Sequence, residues 1–206
     1  MLPSFRFINR TGFTACLGAL LVSGGVVAAQ HDEATAGHHQ SETRYSRSVK
    51  WYVVPRVELL DANGRLVQLT ALTDYPGPVI LQFIFTTCTT VCPIMSATLS
   101  ALQERLGAAI DGTRFISISI DPENDTPPRL AEYAQRSKAR SQWSFLTGRE
   151  DNVIAVRKAF GVYTGSKMLH QPITFLRGSP RDPWVRLGGL MSAAELAAEY
   201  QRALDK

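Results

Sequence analysis

Two cysteines four residues apart, Cys88 and Cys92, are the side chains of this sequence best placed to do chemistry. They sit in the stretch Phe85-Thr86-Thr87-Cys88-Thr89-Thr90-Val91-Cys92-Pro93. An apolar run, Val79 to Phe85, precedes it, and a helical pattern from Ile94 to Leu106 follows. The reading is a strand, a turn holding two thiols, and a helix. Pro93 suits the first turn of that helix, where a missing N–H costs nothing. Thiols at a helix N-terminus face unsatisfied N–H groups and the positive end of the dipole, so their thiolate forms are favoured. Two thiolates on one helical face can close a disulfide, attack one, or chelate a soft metal ion. The spacing is one residue wider than the Cys-x-x-Cys of ordinary thiol oxidoreductases. A purely structural disulfide is the plain alternative, but a loop this short gives little stabilisation by the chain-entropy argument.

The elements that must present this turn can be read from periodicity. Val53–Leu60 and Arg65–Leu69 alternate polar and apolar residues around Asp61-Ala62-Asn63-Gly64, and Asn-Gly between such runs marks a hairpin. Val79–Phe85 reads as the central buried strand. Ile94, Leu99, Leu102 and Leu106 recur at helical spacing, with Gly107 to end the helix. Arg114–Ile120 is a second buried strand. Asp121-Pro122-Glu123-Asn124-Asp125-Thr126-Pro127-Pro128 breaks it and opens a helix that runs to about Ser137, with Thr126 as cap. Asp121 and Asp125 are assigned turn and cap duties here, a functional acid pair being the other reading. Trp143–Leu146 is a short strand with Trp143 and Phe145 in the core, and Arg149–Phe160 a helix ended by Gly161. Ile173–Leu176 and Trp184–Leu187 form a hairpin. Ser192 to Leu204 closes the chain as a helix, with Ser192 and Glu195 as a capping box. Strands alternating with helices predict an α/β fold, a mixed sheet covered on both faces with an N-terminal β-hairpin. A cysteine pair after the first buried strand of such a unit makes it thioredoxin-like.

Residues 1–29 read as a signal peptide or uncleaved anchor: Arg6 and Arg10, then an apolar stretch to Ala29 with small residues at Val27-Ala28-Ala29. Either reading places the globular part outside the cytoplasm, periplasmic or on the outer face of the inner membrane, where disulfides persist. Membrane contact is then confined to this segment. Cys16 lies inside it and does not read as a lipidation site, because most of the apolar stretch follows it. Residues 30–50 are polar and aperiodic and read as a linker, so the folded domain is expected over 51–206. His31, His38 and His39 in that linker could bind metal weakly, but a solvated tether accounts for them. The net charge of +4 is mild, and without the first 29 residues 20 basic side chains face 18 acidic ones. No dense basic run suggests a nucleic-acid partner.

Taken together, Phe85-x-x-Cys88-x-x-x-Cys92-Pro93, Asp121-Pro-x-x-Asp125-Thr126-Pro127 and the late His170 resemble the Sco/SenC family, over about residues 50–204. The resemblance implies a thioredoxin fold held at the outer face of a membrane and one copper ion per chain. By position, its ligands are Cys88, Cys92 and His170. It also implies copper delivery to, or thiol reduction of, the dinuclear copper site of cytochrome c oxidase, whose copper-bearing subunit is the expected partner, with other copper or thiol proteins as alternatives. Two positions depart from the family pattern. Thr90 stands where members often carry an acid, and Gln171-Pro172 follows the histidine where Ser or Thr is usual. Pro172 just before a strand resembles the cis-proline of thioredoxins, which adds weight to a redox role.

Cu(I) favours thiolates, and an imidazole makes the same site acceptable to Cu(II), so Cys88, Cys92 and His170 together suit both states. Met168 could add a thioether, though packing is the simpler role. The alternative is a thiol–disulfide oxidoreductase working without metal, in which Cys88 attacks and Cys92 resolves. A thiol peroxidase is disfavoured, since Leu81 and Phe85 occupy the positions where peroxiredoxins need Pro and Thr.

Overall fold

The structure, a computed structural model, describes residues 45–205. The segments read as signal and as most of the linker, with Cys16, His31, His38 and His39, lie outside the described residues.

Eight strands form one mixed sheet: β1 (Ser46–Lys50), β2 (Glu58–Asp61), β3 (Leu66–Gln68), β4 (Val79–Ile84), β5 (Arg114–Ser119), β6 (Trp143–Thr147), β7 (Ile173–Arg177) and β8 (Trp184–Gly188). Their spatial order is β1-β8-β7-β4-β5-β6-β2-β3. β4, β5 and β6 run parallel, and β7 is antiparallel to β4 on its other side. All six residues of β4 are buried, as expected of a strand covered on both faces. Five α-helices accompany the sheet: α1 (Leu69–Thr73), α2 (Val91–Leu106), α3 (Pro127–Arg136), α4 (Glu150–Ala159) and α5 (Ala193–Leu204). This is the α/β architecture expected, including the hairpin β2–β3 around Gly64, whose φ of 76° is one that L side chains rarely adopt.

Alternation along β4 divides the core. Phe83 packs against Phe160 at the end of α4 and against Phe175 of β7, and Tyr52 and Trp184 complete an aromatic layer around Phe160. The opposite face carries α2 and α3. There Tyr133 of α3 packs against Phe145 with the rings tilted by 59°, and its hydroxyl shares a 3.0 Å hydrogen bond with Ser96 of α2, while Trp143 donates to Ser117 at 2.9 Å. The capping box predicted for the last helix is present, Ser192 and Glu195 each accepting from the other's backbone N–H. Among the described residues no helix is long and apolar enough to cross a membrane.

Three expectations need correcting, and one open point is closed. Residues 46–50, assigned to the linker, form β1, paired along its length with β8. Every residue of β1 is exposed, so no hydrophobic pattern announced it; backbone pairing and a side-chain anchor hold it instead. Glu199 of α5, fully buried, accepts from Tyr45 at 2.7 Å, Arg47 at 2.9 Å and Arg202 at 2.7 Å. The first arm of the hairpin begins at Glu58 rather than Val53, because Pro55 has no N–H to give a ladder and Val53 is 88% exposed. The short α1, not foreseen, bridges the hairpin to the core strand. Finally, no peptide bond among the described residues is cis, so Pro172 is trans.

Candidate metal and thiol site

The site is built at the C-terminal end of β4. The chain leaves the sheet at Phe85, and Cys88 N–H returns to the Phe85 carbonyl at 3.1 Å, tightening the turn. The helix that follows starts at Val91, and its cap residue Thr90 makes no side-chain capping bond. The capping acceptor is instead the Cys88 sulfur, which receives the N–H of Cys92 at 3.4 Å and lies 3.7 Å from the Thr90 hydroxyl. A sulfur doing the work of a capping oxygen is stabilised as thiolate by the same donors that leave a helix start unsatisfied.

The two thiols, both free, are therefore unequal. Burial alone would raise the pKa of Cys88. The donors of Cys92 and Thr90 outweigh it and bring the group below an ordinary thiol. Cys92 is pushed far up, first by complete burial, then by the neighbouring Cys88 sulfur, with the Asp125 carboxylate adding to it. Alkylation near neutral pH should thus modify Cys88 more than about tenfold faster than Cys92, read by mass spectrometry of partially labelled protein. Equal labelling of the two would refute the asymmetry.

Asp125 holds the turn from behind. Fully buried, it accepts from Thr86 N–H at 3.1 Å and from the hydroxyls of Thr86 and Ser119. Four residues earlier, Asp121 takes the Lys167 ammonium, and Lys167 belongs to the short turn Lys167–Leu169 that leads into His170. One loop thus braces both the cysteine turn and the histidine segment. Thr126 caps α3 by backbone position, as expected, but without a side-chain bond. The local turn duties read from the sequence are present, Asp121 accepting from Asn124 at 3.0 Å and Asp125 from Ser119, and each carboxylate adds a distant partner, 46 and 39 residues away in the chain.

His170 reaches the same region over Phe85, ring centroids 6.2 Å apart. Its Nε2 is 2.9 Å from the Phe83 carbonyl, which can only accept, so Nε2 carries the proton and Nδ1 keeps the lone pair. Burial lowers its pKa; the bond to Phe83 opposes this, and the charge of Arg157 adds to the lowering. The ring is thus held neutral, the form that binds a metal. Among the described residues no three His, Cys, Asp or Glu side chains converge into a closed metal-holding group. The sulfurs are preformed, while the imidazole rests on Phe83. Met168 is 79% exposed and packs nothing, contrary to the packing role assigned to it.

The sequence model of SCO1/SenC matches residues 48–205. The chain belongs to the SCO1/SenC family. Relatives and solved structures agree with that placement. A SCO1 protein homolog of Bacillus subtilis is 39% identical over 105 residues, covering 50% of this chain and 53% of the relative. The mitochondrial SCO2 homolog of Bos taurus is 31% identical over 164 residues, covering 78% of this chain and 58% of its own length. The chain thus spans little more than half the length of these curated relatives. Among solved structures, BsSco is described as having a disulfide switch and as a member of the Sco family of cytochrome c oxidase assembly proteins. It superposes with a TM-score of 0.63 at 28% identity, over 77% of this chain and 96% of that one. Bradyrhizobium japonicum ScoI with copper bound superposes at 0.61 and 26% identity, over 74% and 99%. The thioredoxin-like arrangement of this SCO1/SenC chain is therefore the one its relatives share.

Proposed function

We propose that this protein binds one copper ion through Cys88, Cys92 and His170. It then delivers copper to, or reduces the thiols of, the dinuclear copper site of cytochrome c oxidase, outside the cytoplasm. The observation that carries the reading is the Cys88 sulfur capping α2 with Cys92 in the first turn behind it. That arrangement offers two soft donors at a positive helix end, and the free Nδ1 of His170 is the harder nitrogen that suits Cu(II). The copper-bound structure of a family member supports the choice of metal, and the description of BsSco supports the oxidase as client.

A second reading draws on the inequality of the thiols. A lowered Cys88 beside a protonated, buried Cys92 is the arrangement of an attacking and a resolving thiol, so the same pair can exchange disulfides without metal. The two roles alternate, because a thiolate copper site exists only when the disulfide is reduced.

The test is copper stoichiometry on the fully reduced protein, with the visible spectrum of the Cu(II) form. One copper per chain with a thiolate-to-Cu(II) band, lost in Cys88→Ser and in Cys92→Ser, is expected. Absence of tight copper in the reduced protein would overturn the copper reading and leave the metal-free oxidoreductase.

A further inference from the structure

A groove enclosing about 670 Å³ opens beside Cys88 and runs away from it between α2 and α3. Three contacts fix its direction. At the near end, Asp125, just before α3, holds Thr86, just before the cysteines. One turn into α2, Ser96 and Tyr133 join the two helices across the floor. At the far end, Arg140, beyond α3, reaches Gln103 at 3.2 Å and the Gly107 carbonyl at 3.2 Å. The helices therefore run side by side from the reactive turn outward. Pro93, Ala97 and Ala101 line one wall, and their small side chains leave the channel open. From Pro93 to Glu104 the wall is roughly 16 Å long at the helical rise, which takes about five residues of extended chain.

The two ends differ in chemistry. The near end presents a thiol. The far end presents Arg136 and Lys138 against the single carboxylate of Glu104. Arg136 sits 3.8 Å from Glu132, both well exposed, which leaves its charge largely available. Lys138 occupies the left-handed position that ends α3, with φ of 50°, where glycine is the favoured residue. The chain thus carries a cation at a backbone position that disfavours any side chain.

We propose that this groove receives an extended polypeptide segment of the partner, with a cysteine at Cys88 and an acidic side chain about five residues along, at Arg136 and Lys138. The inference rests on the reading of Cys88 as the thiol that exchanges with another protein, and it adds which segment of that protein is recognised.

The probe is a pair of synthetic peptides, each with a cysteine followed by four small residues and then Glu or Lys, the cysteine activated as a mixed disulfide with thionitrobenzoate. The full chain carrying Cys16→Ser and Cys92→Ser offers Cys88 as its sole thiol. The Cys88 thiolate attacks the peptide sulfur, the new Cys88–peptide disulfide forms as the old one breaks, and thionitrobenzoate leaves with the electron pair and is read by its absorbance. The Glu peptide is expected to react at least about fivefold faster than the Lys peptide at low salt. Lys138→Gly with Arg136→Gln should erase that preference. Lys138→Gly relieves the backbone, so a loss there does not reflect unfolding. Ala101→Phe should slow both peptides about tenfold while leaving exchange with neutral dithiodipyridine unchanged. Equal rates for the two peptides, or a preference indifferent to these variants, would overturn the groove. Copper stoichiometry of the chain with Cys16→Ser alone, with and without the groove substitutions, separates the two failures. A protein that binds copper but shows no peptide preference loses only the groove, and one with the preference but no copper loses only the copper reading.

Discussion

Replacing His170 with alanine is expected to weaken Cu(II) binding by about a thousandfold while changing Cu(I) binding less than about tenfold. The asymmetry follows from the donors. Cu(I) is satisfied by two thiolates; both sulfurs are already placed at the start of α2 without help from the imidazole, and Cys92 gives up its proton as the metal binds. Cu(II) needs the nitrogen, and the neutral ring with its free Nδ1 is the one offered. A thousandfold loss corresponds to about 4 kcal/mol, the scale of losing a ligand rather than an outer contact, which costs ten- to a hundredfold. Competition titrations against a Cu(I) chelator and a Cu(II) chelator give the two constants separately. Equal losses in both states would remove His170 from the role assigned to it.

Asp125→Ala is the substitution expected to damage the fold and the site together. The carboxylate is fully buried and satisfies the Thr86 N–H, the Thr86 hydroxyl and the Ser119 hydroxyl. Removing it leaves three donors without partners at one to a few kcal/mol each, partly relieved by water, so a loss of about 3–4 kcal/mol is expected. For a domain of this size that lowers Tm by roughly 10 °C. Copper affinity should fall about tenfold or more, since the turn that aims Cys88 loses its brace. Asp125→Asn keeps one accepting oxygen and the shape, and should recover part of both losses. Calorimetry and copper competition on the same samples are decisive, and a Tm within 2 °C of the parent would show that the brace carries little.

The parts of the site that were legible were local ones. Cys88 to Pro93 after an apolar run announces a strand, a turn and a helix start, and α2 begins at Val91 as that pattern requires. The buried strands β4 and β5 declared themselves by unbroken apolar or alternating runs. What stayed hidden was held by long-range polar contacts. Asp125 and Asp121 look like turn residues in the chain, and only the fold brings Thr86 and Lys167 to them. That the Phe83 carbonyl engages His170 leaves no trace in residue types, because a backbone atom has none. β1 was missed for a related reason: an exposed edge strand carries no hydrophobic period, and its anchor Glu199 lies 152 residues beyond Arg47.

The placement of β1 has a geometric consequence. Ser46 pairs with Gly188, Gly188 with Ile173, and Thr174 with Gln82 near the end of β4. The chain therefore enters the domain at the rim that holds the Cys88 turn, and not at the opposite pole. Any attachment made through the first 44 residues acts on the working rim directly. An anchor placed ahead of β1 would therefore hold the rim of the Cys88 turn, rather than the opposite pole, towards the surface it is fixed to.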